Sequence, residues 1–248
     1  MKVHNHYYKL PLVAAITWFL TLLILLIFWL STGRPHYASQ EGNIAFISDV
    51  GADILKPLFV LGATITSLCF IGTLVSERLL QHSNRLLPAQ RKSEIRLSYS
   101  AIGGSVLGGL GLILLSGFDT MRYTTLHRVF LFVFMLGIVL SGIFTVIEYR
   151  FLSKSYDSYH KIRRSYIAKG IICVVLVALA ILFTTFLSMG RSVRAGMDVA
   201  SVLEWVIGFG FTLYLLTFWY DLRQAAEKND EHDQLKRMKE LQNGHERA

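Results

Sequence analysis

The sequence is poor in charged residues. Asp, Glu, Lys and Arg make up 17% of its 248 residues, whereas 53% are hydrophobic. Soluble globular domains carry about 25% charged residues. Together with a positive mean hydropathy of +0.45, this shortage of charge excludes an ordinary soluble domain and predicts a membrane protein.

Cysteine is also scarce. The two cysteines, Cys69 and Cys173, both lie within apolar runs, where a free cysteine acts as a small apolar filler. Their number and spacing predict neither a disulfide framework nor a metal-ligand set. We therefore expect the protein to have no metal and no cofactor.

Motifs for catalysis and for nucleic-acid binding are missing as well. The chain has no GxSxG, His-x-x-x-Asp or HExxH pattern, so no nucleophile or zinc-protease motif is present. Its pI of 9.5 does not indicate nucleic acid, because the basic residues flank apolar runs and belong to no recognition motif.

What the sequence does have is six apolar runs, each long enough to cross a bilayer as a helix, for which about 20 residues are needed. No small-x-small cleavage site follows the first run, so we interpret it as a retained span. The sequence predicts an all-α bundle of six transmembrane helices in one membrane domain, residues 1–222, followed by a polar tail, residues 223–248. The predicted spans are residues 10–30, 55–76, 97–116, 126–147, 167–188 and 199–220.

The distribution of basic residues predicts the orientation of this bundle. Nineteen of the 25 Lys and Arg residues lie on the side of the termini and six lie on the other side. The positive-inside rule therefore places both termini in the cytosol. These basic residues either only set the topology or also contact anionic lipid headgroups. The candidates for such contact are Arg78, Arg85, Arg91, Lys92, Arg163 and Arg164.

The third span is rich in small residues. Gly104 and Gly108 form a GxxxG pattern, and Ala101, Ser105 and Gly109 form a parallel row. Such rows let two helix backbones approach closely, because no side chain separates them. We expect this row to pack within the monomer; a homodimer face is the alternative.

Two acidic residues, Glu148 and Asp221, lie at the cytosolic ends of the fourth and sixth spans. We expect them to pair with Arg150, Lys169 or Arg223. Charges in the membrane interior are costly unless they face protein or water.

The outer loops bring polar residues to one end of the bundle. In "SDVGAD", Ser48 and Asp53 are good helix N-caps, and Pro57 suits the first turn of the second span, so a short helical turn is predicted there. One hypothesis makes His127 a general base, steadied by Asp119 or Glu204, in a lipid-modifying site. The other, which we favour, is a structural polar cap or a non-catalytic headgroup pocket. The candidate headgroup residues are Ser48, Asp49, Asp53, Asp119, Arg122, His127 and Glu204.

An ordered set of short motifs extends over nearly the whole chain. It comprises "ISDVGAD" with "LKPLF", "ER" at 77–78, "LLSGFDT" at 114–120, "LH" at 126–127, "EY" at 148–149, "LEW" at 203–205 and "YDL" at 220–222. On these motifs the chain resembles the family of damage-regulated autophagy modulators, FGF-receptor-activating proteins and suppressor-of-four-kinase proteins.

The resemblance implies six spans with cytosolic termini, and it implies different roles for different branches. One branch supports a phosphatidylinositol 4-kinase at the plasma membrane, one resides in lysosomes, and one is similar to remodelling factors for GPI-anchor lipids. It offers no catalytic motif to carry over, and the tail here is shorter than that of some kinase-supporting members.

We therefore expect a non-enzymatic integral membrane protein in lipid organisation or phosphoinositide-linked signalling. Its expected partners are membrane lipids and a peripheral cytosolic protein such as a lipid kinase complex. The expected location is the plasma membrane or an endomembrane: vacuole or lysosome, Golgi or ER. A lipid or GPI-anchor remodelling enzyme using His127, Asp119 and Glu204 is the alternative.

Overall fold

The six apolar runs all fold as helices in the computed structural model. The structure describes the backbone of residues 6–83, 92–155, 160–189 and 194–245. It describes side chains within residues 6–83, 92–152, 167–189 and 195–227. A four-residue helix lies in the first loop, and the described residues contain no strand. The predicted all-α class and the count of six spans are confirmed. The helices are α1 (Lys9–Ser31), α2 (Ile47–Val50), α3 (Lys56–His82), α4 (Lys92–Gly117), α5 (Thr124–Ser155), α6 (His160–Met189) and α7 (Arg194–His245).

The short helical turn predicted for "SDVGAD" is present as α2, but its expected caps are wrong. Ser48 lies inside α2, and the residue before the helix is Phe46, whose N–H donates to Asp49. The cap of α3 is Leu55, without a side-chain bond, and Pro57 lies in the first turn as expected. The donors at the start of α2 are satisfied by the side chain of Asp49 within α2 and by that of Glu204 in α7, so neither Ser48 nor Asp53 is needed as a cap there.

The spans are arranged as a closed ring. Each long helix packs against its neighbours in the chain, and α7 packs against α1 to complete the circuit. Aromatic side chains fill the centre: Phe70 makes edge-to-face contacts with Phe211, Tyr214 and Phe218. Large hydrophobic residues such as Leu61 and Val174 remain exposed on the outside, as expected for helices that face lipid.

The small-residue row of α4 packs against α5, within the monomer as expected. A Cβ atom at Gly137 would lie 2.2 Å from the backbone N of Gly108 and 2.8 Å from the carbonyl O of Gly104. The two helix backbones are thus in direct contact, which only glycine at these positions allows.

The bundle has two distinct ends. At one, which we call the loop-side end, residues 32–55 meet the start of α7, and residues 118–123 meet the start of α3. At the other, the termini-side end, Tyr7 packs with Leu80 and with Leu222 of α7. Both chain ends therefore leave the membrane on one side, and α7 continues as a helix to His245. Placement of that side in the cytosol stays a prediction from the charge distribution.

Candidate functional site

The first loop is held to the start of α7 by a single carboxylate. Asp198 accepts hydrogen bonds from the backbone N–H of Asn43 at 2.5 Å, from the Asn43 side-chain amide at 2.8 Å and from the N–H of Ile44 at 3.0 Å. Charge-assisted bonds of this kind are about twice as strong as neutral ones. The loop is consequently fixed in place immediately before α2.

The "LEW" motif of α7 contacts the same loop between one and two turns further on. Glu204 Oε2 accepts the N–H of Ile47 at 2.7 Å, which satisfies a donor at the start of α2. The indole Nε1 of Trp205 donates to the carbonyl of Ala45 at 3.0 Å. Glu204 therefore faces protein, as its depth in the span requires, and its role here is to anchor α2.

Asp49 is buried within this loop. It accepts from the hydroxyl of Ser39 at 2.6 Å and from the N–H of Phe46 at 3.0 Å. Burial raises the pKa of the Asp49 carboxyl, although both hydrogen bonds act in the opposite direction.

Asp119 joins the loop between α4 and α5 to the start of α3. Its carboxylate lies 2.5 Å from Nζ of Lys56 and 2.8 Å from the N–H of Arg122. Burial alone would raise the pKa of Asp119, but the two donors and the Lys56 charge outweigh it, and the pKa is lowered. Asp119 is therefore the ionised partner of Lys56 in an ion pair.

His127 is buried at the start of α5. Its Nδ1 lies 2.9 Å from the carbonyl oxygens of both Leu115 and Phe118. Since carbonyls only accept, Nδ1 carries the proton, and Nε2 is the basic nitrogen of the neutral ring. Among the described residues, Nε2 has no hydrogen-bond partner.

The other predicted headgroup residues differ in exposure. Ser48 is buried within α2, whereas Asp53 and Arg122 are exposed on the loop side. The structure thus brings Ser48, Asp49 and Glu204 into one loop–helix junction. Asp119 and Arg122 lie in a second junction, at the start of α3.

Two spaces in the structure differ greatly in size. A cavity of about 50 Å³, lined by Glu204 and by aromatic rings including Trp18 and Phe134, lies inside the bundle. It has room for a few water molecules and is too small for a lipid headgroup. An apolar groove of about 970 Å³ lies between α1, α6 and α7.

A cation lies beside an aromatic residue at the loop-side end of this groove. Trp29, Ile44 and Trp205 line the groove at its loop-side end. The exposed Arg34 guanidinium lies 6.0 Å from the centroid of the Trp29 ring. Arg34 was not among the predicted headgroup residues. The signal in the sequence is a basic residue that follows Gly33, shortly after Trp29 near the end of the first span.

At the termini-side end, Asp221 pairs with Lys169 at 2.6 Å, as expected. Glu148 instead accepts a hydrogen bond from Gln81 at 2.8 Å. Of the predicted contacts for anionic lipid, Arg78 is buried and Lys92 is exposed. Arg85 and Arg91 lie outside the described residues, and so do the side chains of Arg163 and Arg164.

Six long apolar helices, exposed hydrophobic residues around them and polar clusters at both ends define an integral membrane protein. Residues 6–225 match the model of the Frag1/DRAM/Sfk1/Cwh43P N-terminal domain, and the chain belongs to that family.

Two curated relatives are similar over most of the membrane domain. Protein sfk1 of Schizosaccharomyces pombe is 28% identical over 217 residues, which cover 87% of this chain and 63% of the relative. Protein SFK1 of Saccharomyces cerevisiae is 30% identical over 187 residues, covering 63% of this chain and 52% of the relative. The chain therefore spans less than two thirds of the length of these relatives. No solved structure matches it significantly.

Proposed function

We propose that this protein is a non-enzymatic integral membrane protein that organises membrane lipids, and that it does so by holding a phospholipid along the groove between α1, α6 and α7. The observation that carries this proposal is the groove itself, with the exposed Arg34 at its loop-side mouth. An acyl chain fits its apolar walls, and a guanidinium pairs well with a phosphate oxygen at the membrane surface.

The polar loop-side residues support a bracing role in the same proposal. Asp49, Asp119 and Glu204 each accept a hydrogen bond from a donor within the protein. Asp49 and Glu204 fix the first loop, which reaches the groove through Ile44, and Asp119 fixes the loop before α5 to α3. The headgroup is then contacted by exposed side chains at the rim, Arg34 among them, and the buried cluster stays structural.

Filling the groove tests the proposal. Val206→Trp places a large ring on the groove wall, and Leu61→Trp, on an exposed face of α3 away from the groove, is its matched control. We expect native mass spectrometry to show retained phospholipid in the wild type and the control, and several-fold less in Val206→Trp. Equal retention in both variants would contradict the groove as the lipid site.

The arginine at the mouth is tested separately. Arg34→Gln is compared with Arg122→Gln, an exposed loop-side arginine beside Asp119. We expect Arg34→Gln alone to weaken retention of anionic phospholipid and to alter lipid distribution between leaflets in cells. If both variants behave as the wild type, Arg34 does not hold the headgroup.

The proposal extends to partners and location. The basic termini-side face would contact anionic lipid at the plasma membrane or an endomembrane. The same face and the helical continuation of α7 to His245 would contact a peripheral protein such as a lipid kinase complex. Imaging of a tagged full-length chain distinguishes these compartments. A phosphoinositide sensor in cells with and without the protein tests the signalling role.

A second candidate, a lipid or GPI-anchor remodelling enzyme, is favoured by one observation. His127 holds its Nδ1 proton on two carbonyls and leaves a buried Nε2 without a partner among the described residues, which is how a general base is oriented. Lipid and GPI-anchor profiles of a deletion and of a folded His127→Ala/Glu204→Gln variant separate the candidates. An altered lipid species in that variant supports the enzyme; altered leaflet distribution alone supports lipid organisation.

A further inference from the structure

The termini-side end of the bundle contains a group of charged side chains that are almost fully removed from solvent. Glu77 on α3 is 5% exposed, Glu148 on α5 is 4% exposed and Lys169 on α6 is 0% exposed. Helix α3 ends at His82, so at 1.5 Å per residue Glu77 lies about 8 Å inside that end. Ionisable groups inside a membrane protein are costly to keep, and they mark functional sites by default.

The ammonium group of Lys169 is paired with a carboxylate other than the two glutamates. Its Nζ lies 2.6 Å from the carboxylate of Asp221. The same Nζ lies 4.2 Å from the centroid of the Tyr149 ring and 4.1 Å from that of Phe218. Lys169 is thus neutralised by Asp221 and enclosed by two aromatic faces.

Glu77 and Glu148 are bonded to neutral donors instead. The hydroxyl of Tyr149 donates to Glu77, and the side-chain amide of Gln81 donates to Glu148 at 2.8 Å. The oxygen of that amide accepts from Arg78 at 3.3 Å. Within the side chains that the structure describes, neither glutamate forms an ion pair.

The two glutamates lie close together, because each is bonded to a near neighbour of the other. Glu148 accepts from Gln81, which is one turn beyond Glu77 on α3. Glu77 accepts from Tyr149, which follows Glu148 on α5. Two carboxylates that share a poorly solvated site do not both ionise readily. A proton on one of them removes the like-charge repulsion and supplies an O–H donor. The charged and titratable groups that face the pair are Arg78 from α3, Tyr149 from α5, Lys169 from α6 and Asp221 from α7, with Glu94 of α4 buried at the same end.

We propose that Glu77 and Glu148 form a proton-binding site inside the membrane bundle, in which the pair holds one proton at neutral pH and exchanges it with the termini-side compartment. The site is independent of the lipid groove, which is lined by other faces of α1, α6 and α7. The ligand is a proton, because each glutamate already accepts a hydrogen bond from a neutral donor, and a proton on one of them removes the repulsion between two carboxylates.

Infrared spectroscopy of the full-length protein in nanodiscs tests this site. We expect a protonated-carboxyl C=O band at neutral pH that shifts on ¹³C labelling of glutamate and disappears at high pH. The Glu77→Gln/Glu148→Gln variant keeps both hydrogen-bond acceptors and should lose the band. Glu227→Gln, an exposed glutamate at the same end, is the control and should keep it.

Several results would overturn the proposal. Absence of the band in the wild type would mean that both glutamates are ionised. Persistence of the band in the double variant, or its loss in Glu94→Gln, would assign it to another carboxyl. Displacement of the band by sodium or potassium at constant pH would show that a cation occupies the site instead. The wild-type spectrum decides the first and last outcomes even where a variant fails to fold.

Discussion

Replacing Gly137 with alanine should separate α4 from α5. The added Cβ would lie 2.2 Å from the N and 2.5 Å from the Cα of Gly108, and 2.8 Å from the O of Gly104. All three are backbone atoms, so no side chain can rotate away and one helix must move. Overpacking of this kind costs about 1–3 kcal/mol or more.

Gly103→Ala is the matched control. It lies on the same helix as Gly104, but a Cβ there would have no atom within 4 Å. Alanine is favoured over glycine in a helix by about 1 kcal/mol, so this variant should be as stable as the wild type or slightly more so. Both glycines lie inside helices, so this gain is common to the two substitutions, and they should differ by the overpacking cost of about 1–3 kcal/mol or more.

Steric-trap unfolding in bicelles measures this difference directly, and thermal unfolding in nanodiscs provides a second estimate. The expected order of stability is Gly103→Ala, wild type, Gly137→Ala. Equal unfolding free energies for the two variants would refute the close contact of α4 with α5 and the monomer-internal role of the small-residue row.

Three further perturbations concern the polar contacts. The pKa of Asp119 is lowered in the folded state. Its contribution to stability is therefore present above the unfolded pKa of about 3.9 and is lost as the pH falls through the folded value. Asp119→Asn should remove this part of an acid unfolding curve. Trp205→Phe should cost about 0.5–1.5 kcal/mol and speed proteolysis of residues 32–55, whereas Trp219→Phe, whose indole nitrogen has no partner among the described residues, should not. Lys169→Met should destabilise by about 3–5 kcal/mol by leaving Asp221 unpaired, and unfolding measurements should show that adding Asp221→Asn restores most of this loss.

The number of spans and the close-packing face formed by the glycine row could be predicted from the sequence, because both depend on local patterns; that the partner is α5 could not. A run of about 20 apolar residues has to satisfy its backbone within a helix in lipid. Gly104 and Gly108, spaced four apart, present one smooth face whatever the partner helix is. The Lys169–Asp221 pair was also predictable, since both residues lie at the same membrane boundary.

The caps of α2 and α3 could not be predicted in the same way. Ser48 and Asp53 have good capping side chains, yet the donors at the start of α2 are satisfied by Glu204, 157 positions away in the chain. Local propensity for capping is worth about 1 kcal/mol, and a charge-assisted bond from a packed helix outweighs it.

The amino-acid sequence by itself determined that this chain is an all-helical membrane protein, because hydrophobic length and charge placement act within each span. Only the tertiary structure decided which polar groups meet. It directed Asp49, Asp119 and Glu204 to internal donors, placed Arg34 at the mouth of an apolar groove, and brought Glu77 on α3 together with Glu148 on α5. The contacts of Asp119, Glu204, Glu77 and Glu148 join residues more than 60 positions apart in the chain, so they follow from the closure of the helix ring and have no local signature in the sequence.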